Sequence, residues 1–358
     1  MRAPTHFQQD ILRQPGELRR AVEILLGTGK VALQQASAMV RNARRVFLTG
    51  IGASWNACLG AEVLYGQRGR PVFAVEAAEL LHFTEIPPES VVIAISRTGR
   101  SIEIVQLLAK IRQSGASLIG ITNCADSPLA TEASLAIVIP ATLDYAISVN
   151  TYSTLALAAG AMACTGDNDF QEKCASFLRS LSLVDARLKD WRESLSSSAW
   201  LKSGATYYFL ARGPSLASCQ ESRLLWEEGA KWPATAMTTS GFRHGPQETV
   251  VPGMRFCLWL DAKLMREQDL AVAADLRQMG ADVALIGQDL KQDAAGLVFD
   301  LPRVTPAWQF VLDIIPMQLA AEALASLSGV DCDSFRVCSY IVEGEHGLLK
   351  KHGEGGAQ

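Results

Sequence analysis

The chain has 358 residues, 49% of them hydrophobic and 20% charged, with a formal net charge of −4. That length suits two domains with sizeable cores. The small negative charge supplies neither a nucleic-acid footprint nor a polybasic membrane patch, so a small anionic substrate would have to be held by local donors. The polar start, Met1 to Pro15, has no signal-peptide core. Apolar runs such as Leu155 to Cys164 are too short and too interrupted to cross a membrane, which points to a cytoplasmic protein. The eight cysteines show no C-x-x-C pair and no zinc spacing, and read as reduced, mostly packed thiols.

Residues 8–43 carry apolar positions at helical spacing, with Pro15 expected to interrupt the pattern near its start. Short apolar strands then alternate with helices. Arg45 to Thr49 is a strand ending in Gly50-Ile51-Gly52, and a helix follows over Ser54 to Tyr65. Strand Pro71 to Val75 and a helix over Ala77 to Leu81 come next. Ser90 to Ile95 is an unbroken apolar run, as expected of a strand buried on both faces. Helix Ile102 to Gln113, strand Ser117 to Thr122, strand Leu135 to Ile139 and a long helix from Asn150 to Ala163 complete the first half. Such alternation predicts a parallel, three-layered α/β sheet.

The second half repeats the order. Residues 170–200 form a helical linker. Tyr207 to Ala211, Phe256 to Leu260 and Leu297 to Leu301 are strands. Helices run over Ser218 to Lys231 and Trp308 to Ser328. The stretch Gln278 to Gly287 echoes Gln113 to Thr122, each a helix end, a glycine stop and a buried strand. This is a duplication at domain scale. It divides the chain into N-terminal helices (1–40), a first unit (41–165), a linker (166–200), a second unit (201–345) and a tail (346–358).

Ligands of open parallel sheets bind beyond the carboxyl ends of the strands. Three such loops carry candidate chemistry. Ser96-Arg97-Thr98-Gly99-Arg100-Ser101 puts hydroxyls, a glycine and two cations at a helix N-terminus. This suits either a phosphate cradle or an ordinary helix cap. Gly50-Ile51-Gly52-Ala53-Ser54-Trp55-Asn56 is glycine-rich but lacks the third glycine of a dinucleotide fingerprint. Glu221, Glu227 and Glu228 share a predicted helix, and Glu221 and Glu228 lie two turns apart on one face, which also fits a solvated surface. His244, in Arg243-His244-Gly245-Pro246, sits in a conformationally restricted loop and reads as a positioned side chain or a surface residue.

Taken together, these loops resemble the SIS (sugar isomerase) family, above all the isomerase half of glucosamine-6-phosphate synthase and its deaminase and deglycase relatives. The likeness runs from about residue 10 to residue 345. Ser96-x-Thr98-Gly99-x-Ser101 is similar to the family's phosphate loop, and Gly52-Ala53-Ser54 with Asn56 to its first sugar-contacting loop. The spacing of Glu228 and His244 is similar to that of its catalytic pair. The resemblance implies two tandem SIS domains, each a parallel-sheet α/β/α sandwich of flavodoxin-like type. It implies that Ser54, Ser96, Thr98 and Ser101, with the Arg97 backbone and Gly52, hold a sugar phosphate, and that Val149 lines the sugar pocket. Glu228 would move a proton between C1 and C2, Glu221 would support it, and His244 would open the sugar ring from the neighbouring subunit of a homodimer. No metal and no cofactor are called for.

Two departures bear on the reaction. The family's Schiff-base lysine has Tyr340 at its place, with Lys350 or Lys351 as conceivable replacements, and a second lysine corresponds to Leu225. The sequence also shows no N-terminal glutaminase domain, so glutamine-driven synthesis is not expected of it. The expected function is an amino-sugar-phosphate isomerase or deaminase acting on a small-molecule sugar phosphate. A sugar-amine phosphate deglycase and a non-catalytic sugar-phosphate sensor are the alternatives.

Overall fold

The computed structural model describes residues 3–303, 306–344 and 348. Helices α1 (His6–Leu26) and α2 (Lys30–Asn42) lead into β1 (Arg45–Thr49), α3 (Ala53–Gln67), β2 (Phe73–Ala74), α4 (Ala77–His82), β3 (Ser90–Ser96), α5 (Ile102–Ser114), β4 (Ser117–Thr122), α6 (Pro128–Glu132), β5 (Leu135–Val138) and α7 (Asn150–Cys164). After α8 (Phe170–Ser197) come β6 (Tyr207–Ala211), α9 (Leu216–Glu228), β7 (Ala234–Thr238), α10 (Thr239–Phe242), β8 (Arg255–Trp259), α11 (Arg266–Gln278), β9 (Asp282–Gln288), β10 (Leu297–Leu301), α12 (Gln309–Leu312) and α13 (Ile315–Leu327).

The strands form two five-stranded sheets, β2-β1-β3-β4-β5 and β7-β6-β8-β9-β10. Every pairing in both is parallel. Read from the start of each half, the order is the same 2-1-3-4-5, that of flavodoxin-like sheets. The architecture is thus the expected α/β one, consistent with two tandem domains of the SIS type. β3 is buried at every position because its run Ser-Val-Val-Ile-Ala-Ile-Ser is covered by helices on both faces. Helix α5 ends where Gly115 turns left-handed at φ 77°.

Several local expectations are corrected. Pro15 lies inside α1, buried, without breaking it. It removes one helical hydrogen bond, and the packing of α1 on α7 and α8 carries the helix through. The strand expected over 71–75 shrinks to Phe73–Ala74, and the helix expected to reach Lys231 stops at Glu228. Strand β7 was not foreseen, and the long last helix is broken at Asp313-Ile314. Among the described residues one stretch, Gln309–Leu327, is long and apolar enough to cross a membrane, but 78% of it is buried inside the fold, as for a core helix. All eight cysteines are unpaired thiols, six of them buried.

The largest core cluster joins both halves through α1, α3, α7, α9 and α13. Close approach there needs small residues. A Cβ on Gly60 of α3 would fall 2.5 Å from the ring of Phe310 in α12, a fully buried side chain. Glycine costs a helix interior about 1 kcal/mol relative to alanine, so its place here is set by packing and not by propensity. Gly60→Ala is therefore expected to lower the unfolding free energy by about 1–3 kcal/mol through overpacking. Adding Phe310→Leu should restore part of that loss in urea denaturation. A double variant no more stable than the single one would show that the ring contact is not the cause.

Candidate active site

The loop after β3 is built around Gly99, whose φ of 62° and whose approach to Ser127 (2.5 Å from a notional Cβ to Oγ) leave no room for a side chain. Ser96 and Thr98 are buried, and each spends part of its hydroxyl on the loop. Ser96 Oγ accepts from the Gly99 N–H at 3.1 Å, and Thr98 Oγ1 from the Arg100 N–H at 3.3 Å. Ser101 occupies the N-cap position of α5 but accepts no capping bond, so its hydroxyl is not committed to the helix. The two arginines diverge. Arg100 turns outward to Asp126, at 3.2 Å, whereas Arg97 turns inward. Arg97 donates to Ser148 Oγ at 2.9 Å and to the Tyr340 carbonyl at 2.7 Å, with its guanidinium 4.0 Å from the centre of the Tyr340 ring.

The neighbouring strand ends complete this edge of the first sheet. Gly52 is exposed and left-handed, at φ 57°, at the mouth of α3, and Ser54 is buried in that helix's first turn. Asn56 is engaged with another side chain. Its Nδ2 donates to Glu221 Oε2 at 2.8 Å, across to the second half. Val149 is fully buried, its N–H bonded to Asp144 at 3.0 Å. The residue before it, Ser148, is the one that reaches Arg97.

The three glutamates of α9 separate by environment. Glu221 is buried, and burial together with the Glu228 charge pushes its carboxyl up to about 8, against the pull of Asn56. Glu227 pairs with Arg223 at 3.2 Å near the surface. Glu228, half-buried at the last position of the helix, is pushed up to about 7 by burial, against the pull of Arg97 and Lys231. The inward-facing cation of the phosphate-type loop and a carboxylate poised near neutrality thus share one electrostatic neighbourhood.

His244 is placed elsewhere. Helix α9 starts at the carboxyl end of β6 and travels about 20 Å over its thirteen residues. Glu228 therefore lies toward the opposite edge of the second sheet. β7 then returns parallel to β6, with Thr238 level with Ala211, and His244 follows at the carboxyl edge, exposed. The His244 N–H donates to the Gly241 carbonyl at 3.1 Å.

Sequence reasoning missed Lys231. It sits left-handed at φ 54°, and its Nζ donates to the carbonyls of Glu228 and, at 2.7 Å, Ser334. A cation just past a helix end is a recognisable capping signal. Burial lowers its pKa. Leu225 is packed in the core, and the Tyr340 phenol donates to the Asp144 carbonyl at 3.2 Å. Lys350 and Lys351 lie outside the described residues. Among the described residues no group of three His, Cys, Asp or Glu could hold a metal.

The second half has a loop at the equivalent place, between β8 and α11, and closes it with its own carboxylate. Asp261 Oδ2 accepts the N–H groups of Lys263 (3.0 Å), Leu264 and Met265 (3.1 Å). In the first half the amides of Gly99 and Arg100, in the loop after β3, bond instead to the Ser96 and Thr98 hydroxyls.

The chain is similar to known proteins in sequence and in fold. Residues 39–163 match the SIS domain family. The chain is 25% identical over 341 residues to isomerizing glutamine–fructose-6-phosphate aminotransferase of Pyrococcus horikoshii, covering 92% of this chain and 56% of that protein. It thus spans about half the length of the curated relatives it matches. In fold it is similar to the C-terminal domain of glucosamine-fructose-6-phosphate aminotransferase from Francisella tularensis, with a TM-score of 0.83 at 20% identity, over 92% of this chain and 98% of that one. It is also similar to glucosamine-6-phosphate deaminase from Thermotoga maritima, with a TM-score of 0.76 at 20% identity, over 94% and 99%. Residues 39–163 thus match the SIS domain family, in a chain that is similar to isomerizing aminotransferases over 92% of its length.

Proposed function

We propose that the protein moves a proton between C1 and C2 of an amino-sugar or ketose phosphate, as an isomerase or deaminase of SIS type. The observation that carries this reading is Glu228, held near a pKa of 7 within the field of Arg97 from the phosphate-type loop. The phosphate would be bound by Ser54, Ser96, Thr98 and Ser101 with Arg97. One carboxylate reaching both carbons from one face suffices to take a proton from C2 and return it to C1 through an enediol or enolamine. With a 2-amino aldose phosphate the product is a 2-imine, which water hydrolyses to the ketose phosphate and ammonia. The names of the relatives, an isomerizing aminotransferase and a deaminase, favour the same substrate class.

The separation of Glu228 from His244 within one chain supports a shared site. His244 would serve the Glu228 of a partner subunit in a homodimer, where it would assist ring opening. No nucleic acid or membrane enters the reading.

Two tests follow. In deuterated water, the protein with glucosamine 6-phosphate or fructose 6-phosphate should introduce deuterium at C1 or C2 by NMR. Glu228→Gln should cut that exchange at least about a hundredfold, and undiminished exchange would remove Glu228 from the role. Because Glu228 must be ionised to accept the proton and its pKa is raised to about 7, kcat/KM should rise with pH through about 7 instead of through the ordinary range near 4.5. For the shared site, Glu228→Gln and His244→Ala proteins are each expected to be impaired, and their mixture after subunit exchange should regain part of the activity. A mixture no better than its components would count against the shared site.

A further inference from the structure

A cavity of about 500 Å³ lies between residues 3–8, the end of α8 and the C-terminal half of α13, within the size range of small-molecule sites. Neither the loop after β3 nor the glutamates of α9 line it. Leu195, Leu201, Leu319 and Val330 supply apolar walls, and Glu322 and Arg192 bring two opposite charges to the same lining.

These two charges face a common space without meeting. Glu322 is half-buried, and its carboxylate accepts from the Thr5 hydroxyl at 3.2 Å. Arg192 is exposed and turns to the buried Gln8, whose side-chain oxygen accepts from Nε at 3.2 Å and from Nη2 at 2.6 Å. A guanidinium carries five N–H donors, so Gln8 leaves most of them for other acceptors. The Arg192 charge pulls the Glu322 pKa down against the larger lift from burial, which makes the two groups neighbours. Yet among the described residues no ion pair within 4.0 Å joins them.

A half-buried carboxylate with no cation in contact is a costly arrangement that a cationic guest relieves. An arginine with unused donors prefers a carboxylate, which it can take on two parallel N–H bonds. The guest that answers both is a zwitterion with an apolar body, and the cavity is of small-molecule size. An ammonium and a carboxylate on one carbon, next to an aliphatic side chain, meet that description.

We propose that this cavity binds a small α-amino acid with an apolar side chain, its ammonium on Glu322 and its carboxylate on Arg192. The site is separate from the proposed proton-transfer site and does not depend on that reading. Its lining includes Cys332, and the next residue, Asp333, accepts the N–H groups of His6 (2.7 Å) and Phe7 (2.8 Å). An occupant therefore rests on the junction that ties α1 to the segment after α13.

The test is titration calorimetry of the full chain with L-leucine, for which one saturable site is expected. Isoamylamine lacks the carboxylate and 4-methylpentanoate lacks the ammonium, and each should bind at least about tenfold more weakly. Glu322→Gln keeps an acceptor for Thr5 and should weaken L-leucine by about tenfold or more. Ser326→Trp, at an exposed edge of the cavity, fills the space without removing either charge. It should abolish binding while the thermal midpoint stays close to that of the parent. Absence of saturable L-leucine binding overturns the site. Full-strength binding in Glu322→Gln or in Ser326→Trp places the ligand elsewhere and overturns it as well. Isoamylamine or 4-methylpentanoate binding as tightly as L-leucine overturns the zwitterionic recognition.

Discussion

The hydrogen bond from Asn56 Nδ2 to Glu221 Oε2, 2.8 Å long and buried on both sides, joins α3 of the first half to α9 of the second. The first turn of α3 carries Ser54 and the last position of α9 is Glu228, so the alignment of these two helices decides whether the proposed anion-binding residue and the proposed base share a site. The bond belongs to a wider polar seam. Asp313, fully buried and pushed up to about 7, accepts from Ser215 at 2.6 Å and from Ser218. The Tyr152 hydroxyl, without a partner, lies in the field of Glu221 and Asp313. Buried carboxyls are tolerated there because burial raises their pKa and hydrogen bonds satisfy them, and the result is a fixed register between halves that apolar packing alone would leave free to slide.

The duplication is topologically faithful and chemically unequal. Both sheets run 2-1-3-4-5, and in both the loop after the third strand presents backbone N–H groups. In the first half that loop gathers hydroxyls and Arg97. In the second, Asp261 turns back and satisfies the amides itself. A carboxylate built into a nest of amides excludes an external anion both by space and by charge. The second half contributes instead the helix that ends in Glu228 and the edge strand that leads to His244.

Much of the frame was legible in the sequence, because buried parallel strands leave continuous apolar runs. Arg45–Thr49, Ser117–Thr122, Tyr207–Ala211 and Leu297–Leu301 were read with their observed bounds. β7 was not, since Ala234–Thr238 is a half-exposed edge strand with no apolar alternation. That omission mattered for the site, because the return along β7 is what carries His244 away from Glu228. The seven-residue spacing put Glu221 and Glu228 on one face but could not say that one end of that face meets Asn56 and the other lies in the field of Arg97 and Lys231. The segment 331–344 has no periodicity, and the contact of its Tyr340 with Arg97 spans 243 positions of sequence, beyond the reach of any local pattern.

The same contacts bear on how basic Glu228 is at the moment it would act. Burial raises its pKa, and Arg97 and Lys231 hold it down to about 7. On the proposed reading, a phosphate dianion arriving at Arg97 would neutralise much of one of those cations. The pull of Arg97 on Glu228 would weaken while the burial remained, and the carboxylate would become a stronger base only once the substrate was in place. Glu221 cannot take this role, because it is sealed from the loop and engaged with Asn56. Nor can Glu227, whose partner Arg223 lies on its own helix near the surface. Of the three acids on α9, only Glu228 has its charge governed by the group that would bind the substrate.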